Sequence, residues 1–566
     1  MLPKIAIIAD PHFHDTSFRS PGAREDFAAV RTLADTVAST RVFNESGPAL
    51  RAALDDVATR HIRLVIIVGD LLDDGQAFNR AAALALLQDY TTRYGMRFFS
   101  TPGNHDLFAL AGRHMGKRFL TADGAHILVT SDRDVSRGCS AGRIVTEAAY
   151  CSGYAVALPD MAELGYFRRD VDLLWESPFG GSDALEDRTY EVHSDDGLTK
   201  ARMIDASYLV EPVEGLWILS LDANVYQPRS GGEEGFVDRS EAGWNAVLTD
   251  KPFLLSWASD VARRAAALDK RLLVFSHYPA IGPLNTTLDD EVRLFGRTTF
   301  ARRMPDPAVA EAFAEAGIRV HFSGHWHVNE TALLRRGGDF LVNVAVPSLT
   351  AFPAAYKTAT FEEKSISVET IPLHDVPGFD AAFPAYGVEA RRRGADYGGI
   401  LRTRSYPEFL SHHLAQLVRQ RYMPREWPED FAEAAMRLTV GDLFRLAGAD
   451  AGTGTNSRAL PESVLSLPFI EMVADWYRLR KGRQLALDGI SDERLADYRT
   501  LTARYAAGSW EPTSIQFRLA GFLRMLGQYL ASPPSREFTV DLATGEIGDG
   551  ASAYFGRTDL RQTGRG

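Results

Sequence analysis

The sequence predicts an α/β fold followed by a mostly α-helical C-terminal region. Short apolar runs such as KIAIIAD (4–10) and RLLVFSHYP (271–279) recur through the first 365 or so residues. Because these runs are apolar without alternation, they are typical of strands that are buried on both faces. Helical periodicity fills several gaps between them, as in residues 46–60 and 79–95. Strands that alternate with helices in this way indicate a layered α/β domain.

Two changes in composition predict how the chain is divided. Residues 110–215 break the strand and helix alternation with polar, Gly-containing sequence, which predicts an inserted, cap-like segment. A surface excursion without a role explains that stretch equally well. Residues 373–400 concentrate Pro and Gly, which favours a linker or a docking arm. We therefore expect an α/β domain over residues 1–372, a linker or arm over 373–400 and a helical domain over 401–566.

The expected helical domain rests on three segments with helical periodicity. Ser405 and Glu408 form a capping-box pattern ahead of an apolar helical face. Ser466 stands at a cap position before a second such segment, and residues 515–530 form a third. The apolar faces of these helices suit three roles: formation of a homo-oligomer, coverage of a cleft, or recruitment of a partner.

Bulk composition excludes several classes of protein. The chain has 62 Lys and Arg against 74 Asp and Glu, and the resulting charge of −12 disfavours a general nucleic-acid binder. Two cysteines are too few for a disulfide framework or a thiolate metal site. The N-terminal apolar run is too short for a secretory signal, and no run of eighteen apolar residues predicts a membrane span. We therefore expect a cytoplasmic protein without a membrane partner.

Five of the apolar runs end in residue types that bind metal ions well. These residues are Asp10 with His12, Asp70, Asn104 with His105, His277, and His325 with His327. In open α/β sheets, ligands gather at the carboxyl ends of strands, so residues far apart in the chain can converge there. Each motif alone also fits core or capping residues, but five in succession favour a metal site. His325 and His327 are expected to alternate on an extended backbone, with both side chains on one side.

The order of these motifs resembles that of the calcineurin-like metallophosphoesterase superfamily. The shared pattern is D-x-H, G-D, G-N-H-D, H and G-H-x-H. Within the superfamily it is similar to bacterial members of the cyclic-nucleotide-phosphodiesterase type. The resemblance spans residues 4 to about 370 and implies a four-layer αββα sandwich. It does not account for the C-terminal region.

The resemblance also implies a role for each residue. It implies two metal sites bridged by Asp70. The first site is completed by Asp10, His12 and His327, and the second by Asn104, His277 and His325. His105 is then the histidine that contacts the phosphate and protonates the leaving oxygen, with Asp106 as its orienting partner.

Other residues near these motifs have two interpretations each. His14 and Tyr278 are candidates for substrate contact, although capping of the next helix and aromatic packing explain them as well. Asp73 and Asp74 are candidates to orient ligand histidines, with Asp73 preferred, and a role at the start of a helix is the alternative for both.

The chemistry of these residue types leads to a predicted function. Asp, Asn and His ligands without thiolate suit two divalent ions of Mn, Fe or Zn. Two such ions that share a carboxylate can generate a bridging hydroxide that attacks phosphorus directly. We predict a phosphoesterase that acts on a small phosphate ester, with nucleotides among the candidates and phosphodiesters preferred. The alternatives are a phosphomonoesterase or nucleotidase that uses the same site, a metal-stabilised interaction protein without catalysis, and a nuclease, which the charge of −12 disfavours.

Overall fold

Two seven-stranded sheets form the centre of the molecule. The computed structural model describes residues 2–19, 29–135, 142–284, 286–397, 399–448 and 465–549. In spatial order, the strands of the first sheet are Ile547–Asp549, Glu537–Asp541, Ser365–Pro372, Ala355–Phe361, Ile5–Ile8, Leu64–Ile67 and Arg97–Ser100. Those of the second sheet are Glu330–Arg336, Asp339–Ala345, Val320–Ser323, Arg271–Ser276, Leu216–Leu221, Tyr208–Val213 and Leu174–Glu176.

Within each sheet, the strands that precede the predicted motifs run parallel to one another. In the first sheet, Ile5 lies opposite Leu64, and Leu64 lies opposite Arg97. In the second sheet, Leu216–Leu221, Arg271–Ser276 and Val320–Ser323 also run parallel to one another. Parallel strands end at the same edge of a sheet, so the residues that follow them are brought together there.

The sheets and helices stack in four layers. Ile218, Phe275 and Phe322 of the second sheet share one apolar core with the first sheet. Helices Ser46–Thr59 and Ala77–Tyr94 contribute to that core from the first sheet's side. Helices Pro252–Ala267 and Pro307–Glu315 pack on the second sheet in a separate core. The predicted αββα fold is therefore confirmed. The other helices before residue 372 are Leu33–Ala38, Tyr154–Asp160, Trp244–Asp250, Leu288–Phe295 and Thr299–Arg302.

The segment predicted to be an insertion has two different parts. Leu174–Glu176 and Tyr208–Val213 extend the second sheet beside Leu216–Leu221, because each pairs antiparallel with its neighbour. The rest forms small sheets of its own. Their strands are Gly112–Arg113 with Cys151–Ser152, then Gly116–Leu120, His126–Thr130 and Arg143–Val145, and Thr189–His193 with Lys200–Ile204. Outside this segment, Tyr226–Pro228 pairs with Phe236–Asp238.

The C-terminal region is mostly helical, as predicted, and has a core of its own around Trp476 and Phe522. Its helices are Tyr406–Leu417, Met423–Glu426, Glu429–Arg437, Val440–Leu446, Phe469–Gly482, Gln484–Leu487, Asp492–Ala507 and Ile515–Leu530, with a π-helical turn at Val418–Tyr422. Two later strands, Glu537–Asp541 and Ile547–Asp549, return to the first sheet and pair onto Ser365–Pro372.

A helix, Phe383–Arg393, occupies part of the segment that was expected to be a linker or docking arm. Its Pro384 lies in the first turn, where the missing backbone N–H is not needed. Gly394 ends the helix in the left-handed conformation with φ 59°. Pro and Gly therefore mark the two ends of this helix.

The helical region packs directly against the strand ends of the α/β part. The Arg483 guanidinium forms an ion pair of 2.6 Å with Glu330. The backbone N–H of Asn329 donates to the Lys481 carbonyl at 2.8 Å, and Arg421 donates to the Ala38 carbonyl at the same distance. These contacts place the last turn of helix Phe469–Gly482 beside the loop that carries His325 and His327. In the described part of the chain, we find no helix with the length and apolar character needed to cross a membrane.

Candidate metal centre

The loops that follow five strands bring the predicted metal ligands to one place. Asp10 and His12 follow Ile5–Ile8, and Asp70 follows Leu64–Ile67. Asn104, His277, and the pair His325 and His327 follow strands ending at Ser100, Ser276 and Ser323. Asp10, His12, Asp70, His277 and His327 are all buried. The parallel order of the strands thus assembles a polar cluster within an otherwise apolar interior.

Distances within the cluster match the spacing of atoms that share a metal ion. The Nε2 atoms of His12 and His327 are 3.1 Å apart. His277 Nε2 lies 3.2 Å from Asn104 Oδ1 and 3.3 Å from His325 Nδ1. Two ligands that are each about 2.1 Å from one ion stand roughly 3.0–3.4 Å apart at octahedral or tetrahedral angles. The cluster therefore divides into two sets of donors, each able to hold one ion.

Asp70 connects the two sets. Its Oδ2 atom lies 3.7 Å from His12 Nε2 and 3.2 Å from His277 Nε2. Asp10 also approaches both sets, because its Oδ1 is 3.6 Å from His327 Nε2 and 4.0 Å from His277 Nδ1. However, His277 Nδ1 is hydrogen-bonded to the Val68 carbonyl at 3.0 Å. Since that nitrogen is occupied, we place Asp10 with the first set and Asp70 between the two.

The backbone of this cluster is strained. Asp10, His12, Asp70, His325 and His327 all have positive φ values, between 44° and 70°. For a residue with a side chain, such a conformation is unfavourable by about 1–3 kcal/mol, and residues in such conformations cluster at functional sites. The prediction that His325 and His327 alternate on an extended backbone is therefore wrong. Both belong to the loop after Val320–Ser323, and left-handed turns aim their rings into the cluster.

Two glycines make room for the carboxylates. A Cβ atom on Gly103 would lie 2.1 Å from Asp70 Oδ1, and one on Gly324 would lie 2.6 Å from Asp10 Oδ2. Both distances are far below a van der Waals contact, so only glycine allows the backbone to pass this close. These approaches shape the cradle that surrounds the donor atoms.

Electrostatics prepare the cluster for cations. Burial lowers the pKa of His12 and of His325 well below the usual value, so their imidazoles are neutral and have a lone pair to donate. Burial would raise the pKa of Asp70, but the nearby His277 outweighs it and keeps this carboxyl ionised. Burial would lower the pKa of His277, but the nearby Asp70 carboxylate has the larger effect and raises that pKa to about 9. A cation that binds there must displace the shared proton. The donor set thus fits two divalent cations.

His105 lies beside the cluster, but its partner is not the predicted one. Its Nδ1 contacts the carboxylate of Asp74, which also forms an ion pair with Lys117. The Asp106 carboxylate instead accepts hydrogen bonds from the backbone N–H groups of Leu72 at 2.9 Å and Gly103 at 2.8 Å. Asp106 therefore ties together the loops that carry the ligands. Asp74 orients the His105 ring, which corrects the prediction for Asp106.

Arginine residues border this pair. Arg41 Nη2 is 3.3 Å from His105 Nδ1 and 2.7 Å from Asp73. Asp73 also binds Arg31 at 2.8 Å, so its carboxylate positions two guanidinium groups and not a ligand histidine. Burial, followed by the charge of Arg41, lowers the pKa of His105 to about 4.

Of the four residues predicted to contact substrate, Asn104 and His105 line the cavity at the cluster, whereas His14 and Tyr278 lie away from it. His14 Nε2 is hydrogen-bonded to the Ala29 carbonyl at 2.7 Å, and its ring packs near Phe119. The Tyr278 hydroxyl donates to Asn224 at 3.3 Å, and its ring packs near that of His325. Neither residue lines the cavity at the cluster. The structure therefore supports the alternative interpretation of Tyr278 as a packing residue. His14 also packs its ring in the interior, which differs from both the substrate contact and the helix cap predicted for it.

A cavity of about 170 Å³ opens onto the cluster. Sequence reasoning missed most of its wall. The wall residues outside the predicted site are Thr40, Arg41, Thr299, Phe300, Arg303, Trp326, Arg421, Tyr422, Glu426, Arg480 and Lys481. Five of these residues come from the C-terminal helical region. No periodicity or spacing in the sequence indicates that this region lies beside the metal-binding motifs.

Comparisons with known proteins give a partial match. Residues 3–197 match the model of the calcineurin-like phosphoesterase family. No curated protein sequence matches the chain. Two solved structures are similar at 13% identity each. A dimetal phosphatase from Danio rerio covers 66% of this chain and 96% of its own, with a TM-score of 0.28. A phosphopantetheinyl hydrolase from Mycobacterium tuberculosis covers 61% and 90%, with a TM-score of 0.23. Both scores are too low to carry an argument.

The family match and the geometry agree on one region of the chain. Residues 3–197 include Asp10, His12, Asp70 and Asn104, and the fold adds the three histidines that follow the strands of the second sheet. Residues 3–197 thus resemble the calcineurin-like phosphoesterase family, and the α/β part carries a buried Asp and His cluster that could hold metal ions.

Proposed function

We propose that the protein is a metal-dependent phosphodiesterase. The observation that carries this proposal is the position of Asp70 Oδ2 between His12 Nε2 and His277 Nε2. Two divalent cations held by the two donor sets would activate water as the nucleophile and neutralise charge on the phosphoryl oxygens. The ligands that we assign are Asp10, His12, Asp70, Asn104, His277, His325 and His327.

His105 is proposed as the general acid that hydrolysis of a phosphodiester needs in addition to the metal ions. Diester hydrolysis expels an alkoxide, which is a poor leaving group unless an acid protonates it. Asp74 occupies Nδ1 of His105, so Nε2 is the nitrogen left to serve the cavity that His105 lines. Although burial and Arg41 keep the pKa of His105 low in the free site, an anionic phosphate beside the ring raises that pKa. Asn104 and Arg41 line the same cavity, which supports a role for both in orienting the phosphate.

The cavity also supports catalysis over the alternative of a purely structural metal site. Structural metal sites are closed, whereas catalytic sites keep an open position. Here Asp70, Asn104, His105, His325 and His327 all border the cavity. The donor sets therefore face a space that a substrate can enter.

Hydrolysis assays of the metal-loaded full chain test this proposal. We expect turnover of bis-p-nitrophenyl phosphate that a chelator abolishes and Mn, Fe or Zn restores. Turnover of p-nitrophenyl phosphate alone would assign a phosphomonoesterase or nucleotidase to the same site. Metal binding without turnover of either compound would favour the interaction protein.

A further inference from the structure

The cavity at the metal centre is lined with more cations than the scissile phosphate requires. Arg41, Arg303, Arg421, Arg480 and Lys481 all border it. Arg41 and Arg480 are neutralised locally, since Arg41 binds Asp73 at 2.7 Å and Arg480 pairs with Glu291. Arg303 has an interaction partner of its own, and Glu426 also borders the cavity. The surplus occurs in a chain whose net charge is −12. It is therefore a local feature of this cavity.

Lys481 is the most informative of these cations. Its side chain is buried, with the residue 8% exposed. Its ammonium donates to the Trp326 carbonyl at 2.7 Å, and among the described residues no carboxylate lies within 4.0 Å of it. An ammonium has three donors, and a buried charge is costly unless an anion pairs with it. Lys481 thus faces the cavity without a carboxylate at ion-pair distance among the described residues, and burial, followed by the charge of Arg480, lowers the pKa of its amine to about 7. An anion in the cavity would favour the charged form of this amine.

Arg421 adds a second cation from the same region. It lies on the π-helical turn Val418–Tyr422, and such turns occur often at functional sites. Its guanidinium donates to the Ala38 carbonyl at 2.8 Å, and the described chain offers it no carboxylate at ion-pair distance. Arg303 lines the cavity from the loop after helix Thr299–Arg302. Lys481 and Arg421 therefore reach one small space from two separate segments.

The charge and size of this space indicate what it binds. A phosphate monoester carries about −1.5 to −2 charges and three acceptor oxygens, which suits several cations better than a singly charged carboxylate does. The volume of about 170 Å³ is below the roughly 300–1,000 Å³ of ordinary small-molecule pockets. Only a compact part of a substrate can enter, which also disfavours a nucleic-acid polymer.

We propose that Lys481 and Arg421 bind a second phosphate group, so that the preferred substrates are compact phosphodiesters whose organic part carries a further phosphate. This inference rests on the proposed phosphodiesterase function. The C-terminal helical region would then select the substrate, because it supplies Arg421 and Lys481 to a site whose metal ligands all belong to the α/β part.

A matched pair of chromogenic diesters tests the inference. The probes are p-nitrophenyl ethyl phosphate and p-nitrophenyl 2-phosphonoethyl phosphate, which differ only in a terminal phosphonate that cannot be hydrolysed. We expect the full-length, metal-loaded protein to prefer the phosphonate ester in kcat/KM by about 10- to 100-fold, the range that charged hydrogen bonds contribute. Lys481→Met and Arg421→Gln should remove most of this preference, whereas Lys481→Arg should retain more of it than Lys481→Met.

The control is Arg425→Gln, which removes the same charge from an exposed position outside the cavity. It should keep the wild-type preference. If the wild-type protein hydrolyses both esters with nearly equal kcat/KM, the inference is overturned and the phosphodiesterase proposal remains intact. Hydrolysis of neither ester with Mn, Fe or Zn would overturn both. Because the wild-type ratio needs no variant, the test stands even if a substitution prevents folding.

Discussion

The Nε2 atoms of His12 and His327 lie 3.1 Å apart, although the two residues are 315 positions apart in the chain. Each ring comes from a loop with a left-handed backbone, one after a strand of the first sheet and one after a strand of the second. The contact therefore connects the two sheets at their carboxyl ends. A cation bound between these nitrogens would stabilise the sheet pair as well as serve catalysis.

Removal of one of these two imidazole rings should prevent one metal ion from binding. We expect His327→Ala to bind about one fewer divalent ion per chain and to lose at least about 100-fold in kcat, since water activation needs both ions. Elemental analysis after gel filtration measures the metal content. His374→Ala is the matched control, because His374 is exposed and away from the cavity. Full metal content in the His327 variant would contradict the ligand assignment.

Substitution of the proposed acid should separate chemistry from metal binding. His105→Ala should lower kcat on alkyl phosphodiesters by about 10²- to 10⁴-fold, the usual contribution of general acid catalysis. Metal content should stay at the wild-type level, because the His105 ring is not among the donors. The loss on bis-p-nitrophenyl phosphate should be smaller, since p-nitrophenolate leaves without protonation. Equal losses on both substrates would contradict the role of His105 as an acid.

A comparison of Asp74 with Asp106 tests which carboxylate orients His105. The contact of Asp74 with His105 Nδ1 predicts that Asp74→Asn lowers kcat by about 10- to 100-fold, as loss of an orienting partner does. Asp106→Asn should act mainly on thermal stability, because its carboxylate accepts from the backbone of Leu72 and Gly103. Pre-steady-state and steady-state rates with alkyl diesters, together with melting curves, provide the readouts. A larger loss of kcat in the Asp106 variant would reverse this assignment.

The close approach at Gly103 predicts a large effect of a single methyl group. In Gly103→Ala, the new Cβ would lie 2.1 Å from Asp70 Oδ1, so either the carboxylate or the loop must move. We expect loss of metal and of activity while the circular dichroism spectrum stays that of a folded protein. Gly181→Ala is the control, because a Cβ atom added there would have nothing within 4 Å and the φ of Gly181 is not positive. Normal metal content in Gly103→Ala would show that the Asp70 carboxylate can be displaced without loss of metal binding.

Glu45 should make stability depend on pH. Its carboxyl is fully buried, accepts a hydrogen bond from the Tyr386 hydroxyl at 3.0 Å, and has its pKa raised to about 7 by burial. The folded protein then binds a proton more tightly than the unfolded chain, so stability falls as pH rises from about 4.5 through 7. The slope is at most about 1.4 kcal/mol per pH unit.

Glu45→Gln should remove this contribution. Between pH 5 and 7 the variant should lose about 2 kcal/mol less stability than the wild type. Denaturant unfolding curves of both proteins across this range provide the measurement, and the difference between them cancels the contributions of other groups. Parallel curves for the two proteins would show that Glu45 does not titrate there.

Local patterns were sufficient to predict the fold class. Unbroken apolar runs such as the one at Ile5–Ile8 mark strands buried on both faces, and helical periodicity marks the layers between them. The cap signal at Ser405 shows the same agreement, since its side chain accepts from the backbone N–H of Glu408 in the first turn. Patterns of this kind are encoded within about 20 residues, so one sequence is enough to read them.

The sequence by itself determined the α/β class, the helical character of the C-terminal region, and the metal-binding residue types at the strand ends, because each follows from local periodicity and spacing. Only the tertiary structure decided how those residues are used. The pairing of His105 with Asp74 and the left-handed turns at His325 and His327 depend on how loops from two sheets pack together. The cations of the cavity depend on the docking of helices far beyond the last motif, as in the contact of Lys481 with Trp326 across 155 positions. Contacts at such separations leave no periodic signal in the chain.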